Sequence, residues 1–338
     1  MRFDTGSSPF LPPANSVSAV MREVLLALIP GVAALAVFFG IGVVVNLVIA
    51  GLTAMACEAA MLTLRGRPVK PSLGDCSALV TAALLAVALP PVAPWWLTVL
   101  AVAFALVFGK HLYGGLGYNP FNPAMVGYVV VLIAFPREMT HWLPPAGVAV
   151  QGIGPSETLA AIFSGHAPAV DALTAATPLD AVKTQLGMAR SMHEILRGPL
   201  WGVLAGRGWE WVNLTFLAGG LWLLYRQIIG WRIPVGLIAT LGLLAGVVWT
   251  LGPDRTPGLL FHLFSGGTML GAFFIATDPV SAATTPRGRL IYGAGIGLIT
   301  YVIRTWGGYP DGIAFAVLLM NMAAPLIDNY TRPRVFGH

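Results

Sequence analysis

The chain alternates between long apolar runs and short interruptions rich in Gly, Pro and Arg. Runs of about 17–25 apolar residues match a helix crossing a ~30 Å hydrocarbon core. The pattern predicts ten spans: Val24–Phe39, Ile41–Leu62, Ala78–Pro90, Trp96–Phe108 and Asn122–Phe135, then Trp211–Tyr225, Ile233–Leu251, Gly258–Thr277, Leu290–Ile303 and Ile313–Ile327. Several are short and interrupted by Gly or Pro. Barrel-type alternation is absent from the pattern, and backbone polar groups in lipid must be satisfied internally, so helices are the expectation.

Five spans lie on either side of a long polar segment. This divides the chain into an N-terminal membrane half (1–135), a loop (136–210) and a C-terminal membrane half (211–338). In the first half, Ser77-Ala-Leu-Val-Thr81 leads a run to Pro90-Pro91, a second span, then Gly114-Gly115-Leu-Gly-Tyr118-Asn-Pro120. In the second, Gly267-Thr268 leads a run to Asp278-Pro279, a second span, then Gly307-Gly308-Tyr309-Pro310. An odd number of spans per half inverts the second copy, and inverted repeats with broken helices place sites at the repeat interface. The expected fold class is therefore an all-α integral membrane protein with ten transmembrane helices in two inverted five-helix repeats.

Composition narrows the class further. Hydrophobic residues are 57% and charged residues 10% of 338, with mean hydropathy +0.78. Soluble domains average about 25% charged residues, so this chain could not cover a soluble surface. The net charge of +5 does not point to nucleic acid, because the 19 Lys and Arg are scattered between apolar runs and form no patch. They read as topology determinants. With the N-terminus inside, the inner segments hold twelve: Arg2, Arg22, Arg65, Arg67, Lys70, Lys110, Arg226, Arg232, Arg287, Arg289, Arg332 and Arg334. The short outer loops hold two, Arg255 and Arg304, and five lie in the long loop, where the positive-inside rule does not apply. Met1–Ser18 is polar and Pro-rich and is not expected to be a secretory signal. Cys57 and Cys76 are too few for a disulfide framework or a complete iron–sulfur site. They read as small packing residues, with half a cluster shared with a partner as the alternative.

Candidate chemistry is sparse. Asn119-Pro-Phe-Asn-Pro-Ala124 contains the Asn-Pro-Ala of water channels, but only once; Asn122 as N-cap with Pro123 at the first helical position explains it. Gly293-Ala-Gly-Ile-Gly297 follows no strand and fails as a nucleotide loop; like Gly267-x-x-x-Gly271 it lets helices approach closely. Asp278 and Asp328 sit at helix ends. His141, His166 and His193 show no metal-ligand spacing, and no metal site is expected. Glu58 is the one carboxylate deep within a span. Such groups cost roughly 2.5–3.5 kcal/mol or more, so Glu58 is an ion-path candidate, with a paired structural carboxylate as the alternative.

The loop contains Asp171-Ala-Leu-Thr174-Ala-Ala-Thr177-Pro-Leu-Asp180. Thr177 is placed to cap a helix opening at Pro178, with Asp180 in its first turn. Capping leaves Asp171 and Thr174 unexplained. Asp-x-x-Ser/Thr-x-Ala-Thr is similar to the signal read by a flavin transferase, which joins FMN to the final Thr by a phosphoester bond. Together with Asp75-Cys-Ser-Ala-Leu-Val-Thr81, Gly114-Gly-Leu-Gly-Tyr-Asn-Pro-Phe-Asn-Pro-Ala-Met125 and Phe274-Ile-Ala-Thr-Asp-Pro-Val-Ser281, it resembles the RnfD family of the Rnf ion-translocating electron transport complex, from about Arg22 to Arg334. NqrB of the sodium-pumping NADH:quinone reductase is the more distant branch, whose long N-terminal extension is absent here.

The resemblance implies a subunit of a bacterial inner-membrane complex that passes electrons between ferredoxin and NAD, coupled to sodium or proton movement. It implies covalent FMN on Thr177, recognised through Asp171 and Thr174, and a second, non-covalent flavin such as riboflavin. The implied partners are the other members of the complex, including an exported flavin-carrying one, and the flavin transferase; no stand-alone active site is expected. The competing reading is a channel or transporter for a small polar solute, which would have no use for the signal around Thr177.

The Lys/Arg count generates a topology test. Both termini and the Arg65–Lys70 loop should be cytoplasmic, and residues 136–210 exported. Reporter fusions after Phe135 and at the C-terminus should report opposite sides; the same side for both would remove the ten-span arrangement.

Overall fold

The computed structural model describes residues 16–148, 153–164 and 174–332. Among these, all regular structure is helical, and the only extended pairings are isolated bridges between Trp142 and Ala175 and between Trp201 and Gly206. Four helices are long and apolar enough to cross a membrane: α1 (Val17–Phe39), α2 (Gly42–Leu64), α8 (Arg232–Leu251) and α11 (Ile313–Tyr330). Between them lie α3 (Ser77–Ala86), α4 (Trp95–Leu106), α5 (Pro123–Ala134), α6 (Pro178–Gly187), α7 (Trp209–Tyr225), α9 (Leu259–Phe264) and α10 (Pro286–Trp306), with shorter turns at their ends. The chain is a multi-pass helical membrane protein.

Helix starts follow a shared local rule. A polar side chain takes an orphan backbone N–H of the first turn, and proline, which has no N–H to lose, follows it. Asn122 accepts from Met125 N ahead of Pro123, Thr177 from Asp180 N ahead of Pro178, and Thr285 from Gly288 N ahead of Pro286. The Asn-Pro-Ala at 122–124 is thus a helix entry, as its spacing predicts.

Three predicted spans depart from simple helices. The run Ala78–Pro90 is helical only over Ser77–Ala86, and the rest turns back through Pro90 and Pro91. The run Trp96–Phe108 ends in a π turn, Val107–His111. The run Gly258–Thr277 is broken: α9 ends at Phe264, Gly266 takes φ +58, and helix resumes at Thr268–Leu270 before a second π turn, Gly271–Ile275. Apolar content sets how much chain is buried, whereas Gly266 in the left-handed region decides where the helix stops. π turns add a residue per turn and occur frequently at functional sites.

Packing relies on glycine where backbones meet. A Cβ on Gly293 would lie 2.4 Å from the Ile233 carbonyl oxygen, and one on Gly297 2.5 Å from that of Leu237, so α10 rests directly on α8. Gly219 brings α7 against the Ala27 carbonyl of α1 in the same way, at 2.1 Å for an added Cβ. Contacts also join α5 to α11, so the first helices of the two predicted halves touch, as do the last.

Gly293→Val should force α8 and α10 apart and lower stability by about 1–3 kcal/mol. Thermal unfolding in detergent reads the change; an unaltered midpoint would contradict the backbone contact.

Candidate functional site

The segment around Thr177 is fixed at several points. Upstream, Ala175 N donates to the Trp142 carbonyl at 2.9 Å, forming the isolated bridge. Thr177 then caps α6, accepting from Asp180 N at 3.3 Å. Leu179 and Val182 on the buried face of α6 pack with Met192, Ile195, Trp201 and Phe261. Lys183 donates to the carbonyls of Ile303 at 3.2 Å and Tyr309 at 2.8 Å, tying α6 to the end of α10. Burial holds this ammonium below the usual lysine range, with the nearby Asp180 carboxylate opposing the shift.

These constraints leave Thr177 on the wall of a cavity of about 340 Å³, shared with Asp180, Trp142, Trp209, Gly266 and Asp311. Small-molecule sites span roughly 300–1,000 Å³. The cavity also takes in Leu35 and Met125 from the first predicted half and Ile313 from the second. Among the described residues no Lys or Arg lines it. One side is held by Arg304, which donates to Asp311 Oδ1 through Nε at 3.1 Å and Nη2 at 3.0 Å. Asp311 Oδ2 accepts from Gly267 N at 2.9 Å. The charge pattern assigns Arg304 to an outer loop; it is instead 5% exposed at the end of α10.

Thr174 adjoins the bridge and is half-buried. Asp171 and His166 lie outside the described residues, so the structure brings together only Thr174 and Thr177 of the three motif positions.

Glu58 lies elsewhere. It is 2% exposed on α2, with Oε1 2.8 Å from Lys110 Nζ and Oε2 2.9 Å from His111 Nε2. Lys110 also donates to Ser77 Oγ at 2.9 Å, and Arg65 donates to the His111 carbonyl at 3.3 Å. Both partners come from the π turn that ends the Trp95–His111 segment, which turns two consecutive side chains onto one carboxylate. Lys110, an inner-loop charge by its sequence pattern, is 2% exposed. Lys110 and Ser77 in turn line a second cavity of about 110 Å³ with Asn119, Asn122, Thr277 and Asp278.

A family model described as NQR2, RnfD, RnfE matches residues 4–337. The chain belongs to that family. Two relatives are each named as the D subunit of an ion-translocating oxidoreductase complex. The one from Escherichia coli O127:H6 (strain E2348/69 / EPEC) is 52% identical over 349 positions, covering 100% of this chain and 99% of the relative. The one from Klebsiella pneumoniae (strain 342) is 53% identical over 349 positions, covering 100% of both. The three stretches that resemble the family fall around both cavities: Ser77 and Asn122 at the smaller one, and Ile275 at the larger.

The buried pair generates a stability test. Breaking a buried ion pair by removing one partner costs about 3–5 kcal/mol, whereas replacing both is often neutral. Lys110→Met should therefore destabilise the protein strongly in a detergent thermal melt, and Glu58→Gln combined with Lys110→Met should recover much of the loss. A double variant no better than the single would show that the two side chains are not energetically coupled.

Proposed function

We propose that the chain is the membrane flavoprotein subunit of a redox-driven ion-translocating complex that passes electrons between ferredoxin and NAD, coupled to sodium or proton transport. The name of the 52% identical relative supports the complex. The observation that carries the flavin is the position of Thr177: the last residue of Asp171-x-x-Thr174-x-Ala-Thr177 lines a cavity of flavin-compatible size. We assign Thr177 as the FMN acceptor through a phosphoester bond to its hydroxyl, with Asp171 and Thr174 read by the flavin transferase.

The residues present fit such a group. Thr177 is the N-cap of a ten-residue helix, whose first N–H groups and dipole favour an anion at that point. With no Lys or Arg on the wall among the described residues, backbone N–H groups carry that task. FMN, when bound, supplies electron-transfer chemistry; the protein supplies position and electrostatics. The tether at Thr177 keeps the flavin from leaving in either redox state, and the apolar walls from α1, α5 and α11 shield it from water. A second, non-covalent flavin such as riboflavin belongs to the same reading; the smaller cavity, at about 110 Å³, falls below the size of such a site.

In this reading the chain inserts in the bacterial inner membrane as two inverted five-helix halves, 1–135 and 211–338, with 136–210 exported. The contacts of α1 with α7 and of α5 with α11 support the pairing of halves. Its partners are the other members of the complex, among them an exported flavin-carrying one. Glu58 is the ion-path candidate.

Thr177→Ala should abolish covalent flavin while the helices still insert, since the lost cap is worth about 1 kcal/mol. Electron flow through the assembled complex should collapse. Thr174→Ala should keep the acceptor and lower only the extent of attachment. Denaturing-gel fluorescence of protein made alongside the transferase reads both. A fluorescent band that persists in Thr177→Ala would place the attachment on another residue.

A further inference from the structure

We infer that Trp142 and Trp209 form the stacking wall for the isoalloxazine ring of the flavin tethered at Thr177, an inference that rests on the flavin assignment above. Both indoles line the cavity that Thr177 lines. Their ring centroids are 4.8 Å apart at 56°, and Phe39 closes the group at 5.0 Å from Trp209 and 6.0 Å from Trp142. Aromatic pairs favour centroid separations of about 4.5–7 Å in offset or tilted arrangements. The three rings therefore brace one another and present a rigid aromatic wall.

Tether and wall are mechanically linked. The Trp142 carbonyl accepts from Ala175 N at 2.9 Å, two residues before the acceptor hydroxyl. Phe39 is the last residue of α1 and Trp209 the first of α7, so the wall is built where two long helices end beside the loop. A ring held by a ribityl chain from Thr177 has this wall within the same cavity.

The ordinary explanation of such tryptophans is the interfacial aromatic belt, which other residues here satisfy: Trp211 is 55% and Trp306 69% exposed. Trp209, at 8%, is not on that surface. Plain core packing is the other explanation, and the indole N–H groups argue against it. Trp201 donates to the Ile195 carbonyl and Trp222 to Glu23 Oε2. Among the described residues, neither Trp142 nor Trp209 has an acceptor for its N–H, and neither N–H is among the fully enclosed orphans. Buried tryptophans usually find such a partner. Neither indole is tied to a protein acceptor among those residues, and both line the cavity, so their rings are available to a ligand there.

Flavin emission tests the contact. An indole touching an excited isoalloxazine passes it one electron and regains that electron on recombination, so emission is quenched with no net redox change. The full-length chain, made with the flavin transferase and purified folded in detergent, should emit weakly and brighten on denaturation. Trp142→Phe and Trp209→Phe keep an aromatic ring in the wall but remove the efficient donor. Each should raise the native-to-denatured emission ratio several-fold while the denaturing-gel flavin band stays constant. Trp201→Phe, in a separate cluster with Leu179 and Phe261, should leave the ratio at the wild-type value. An unchanged ratio in both wall variants with the band intact overturns the stacking wall and leaves the Thr177 assignment standing. A ratio that rises equally in Trp201→Phe also overturns it. Absence of the band from the wild-type chain overturns the flavin assignment, and the wall with it.

Discussion

A helix interrupted at Ser265–Gly267 leaves carbonyl and amide groups that a hydrocarbon surrounding cannot satisfy, and one guanidinium takes up several of them. Arg304 donates to the carbonyls of His262 at 2.7 Å and Ser265 at 3.4 Å and to Thr268 Oγ1 at 2.9 Å. Its remaining donors engage Asp311, which accepts Gly267 N on its other oxygen. The buried guanidinium is the costly partner, and the half-buried Asp311 carboxylate offsets its charge. Gly266 fits beneath them because it has no side chain: an added Cβ would sit 2.4 Å from Asp311 Oδ2 and 2.6 Å from Leu179 Cδ1. The break in the helix, the neutralised arginine and the wall opposite Thr177 are thus one arrangement.

Glu58 obeys the same constraint at the second cavity. Its two oxygens are taken by Lys110 and His111, and Ser77 occupies Lys110 further. A bare carboxylate at that depth would attract any passing cation; this one already holds an ammonium at contact distance. An ion path through Glu58 would therefore require Lys110 to withdraw. The Glu58 cluster sits at a π turn, because a regular helix does not aim two consecutive side chains at one acceptor.

Local rules were legible in the sequence and long-range pairings were not. The apolar runs located the helices, and the polar-then-proline signature marked the entries at Asn122 and Thr177, because both depend on neighbours within one turn. Thr177 stood out by its motif, and the structure puts it on a cavity wall. The break at Ser265–Gly267 was hidden because its residues are as small and apolar as a span requires, and what stabilises it, Arg304, comes from another helix. Lys110 and Arg304 carried the signature of loop charges and proved buried, since their partners lie on other helices or beyond a turn. Trp142 and Trp209 carry no local signal of their own: only the fold brings them to Phe39.

The larger cavity belongs to no single segment of the chain. Leu35 and Met125 come from the region before the long segment 136–210, Thr177 and Trp209 from within it and Ile313 from the region after it. A residue on a long loop would ordinarily be a poor place to hold a group at fixed distance from anything, because loops move more than the elements they join. Here Thr177 is bracketed, by the Trp142 bridge two residues before it and by Leu179, Val182 and Lys183 after it. Anchoring on both sides within so few residues converts a loop position into a rigid one. Thr177 is therefore positioned by the packed remainder of its own segment and by the end of the Pro286–Trp306 helix.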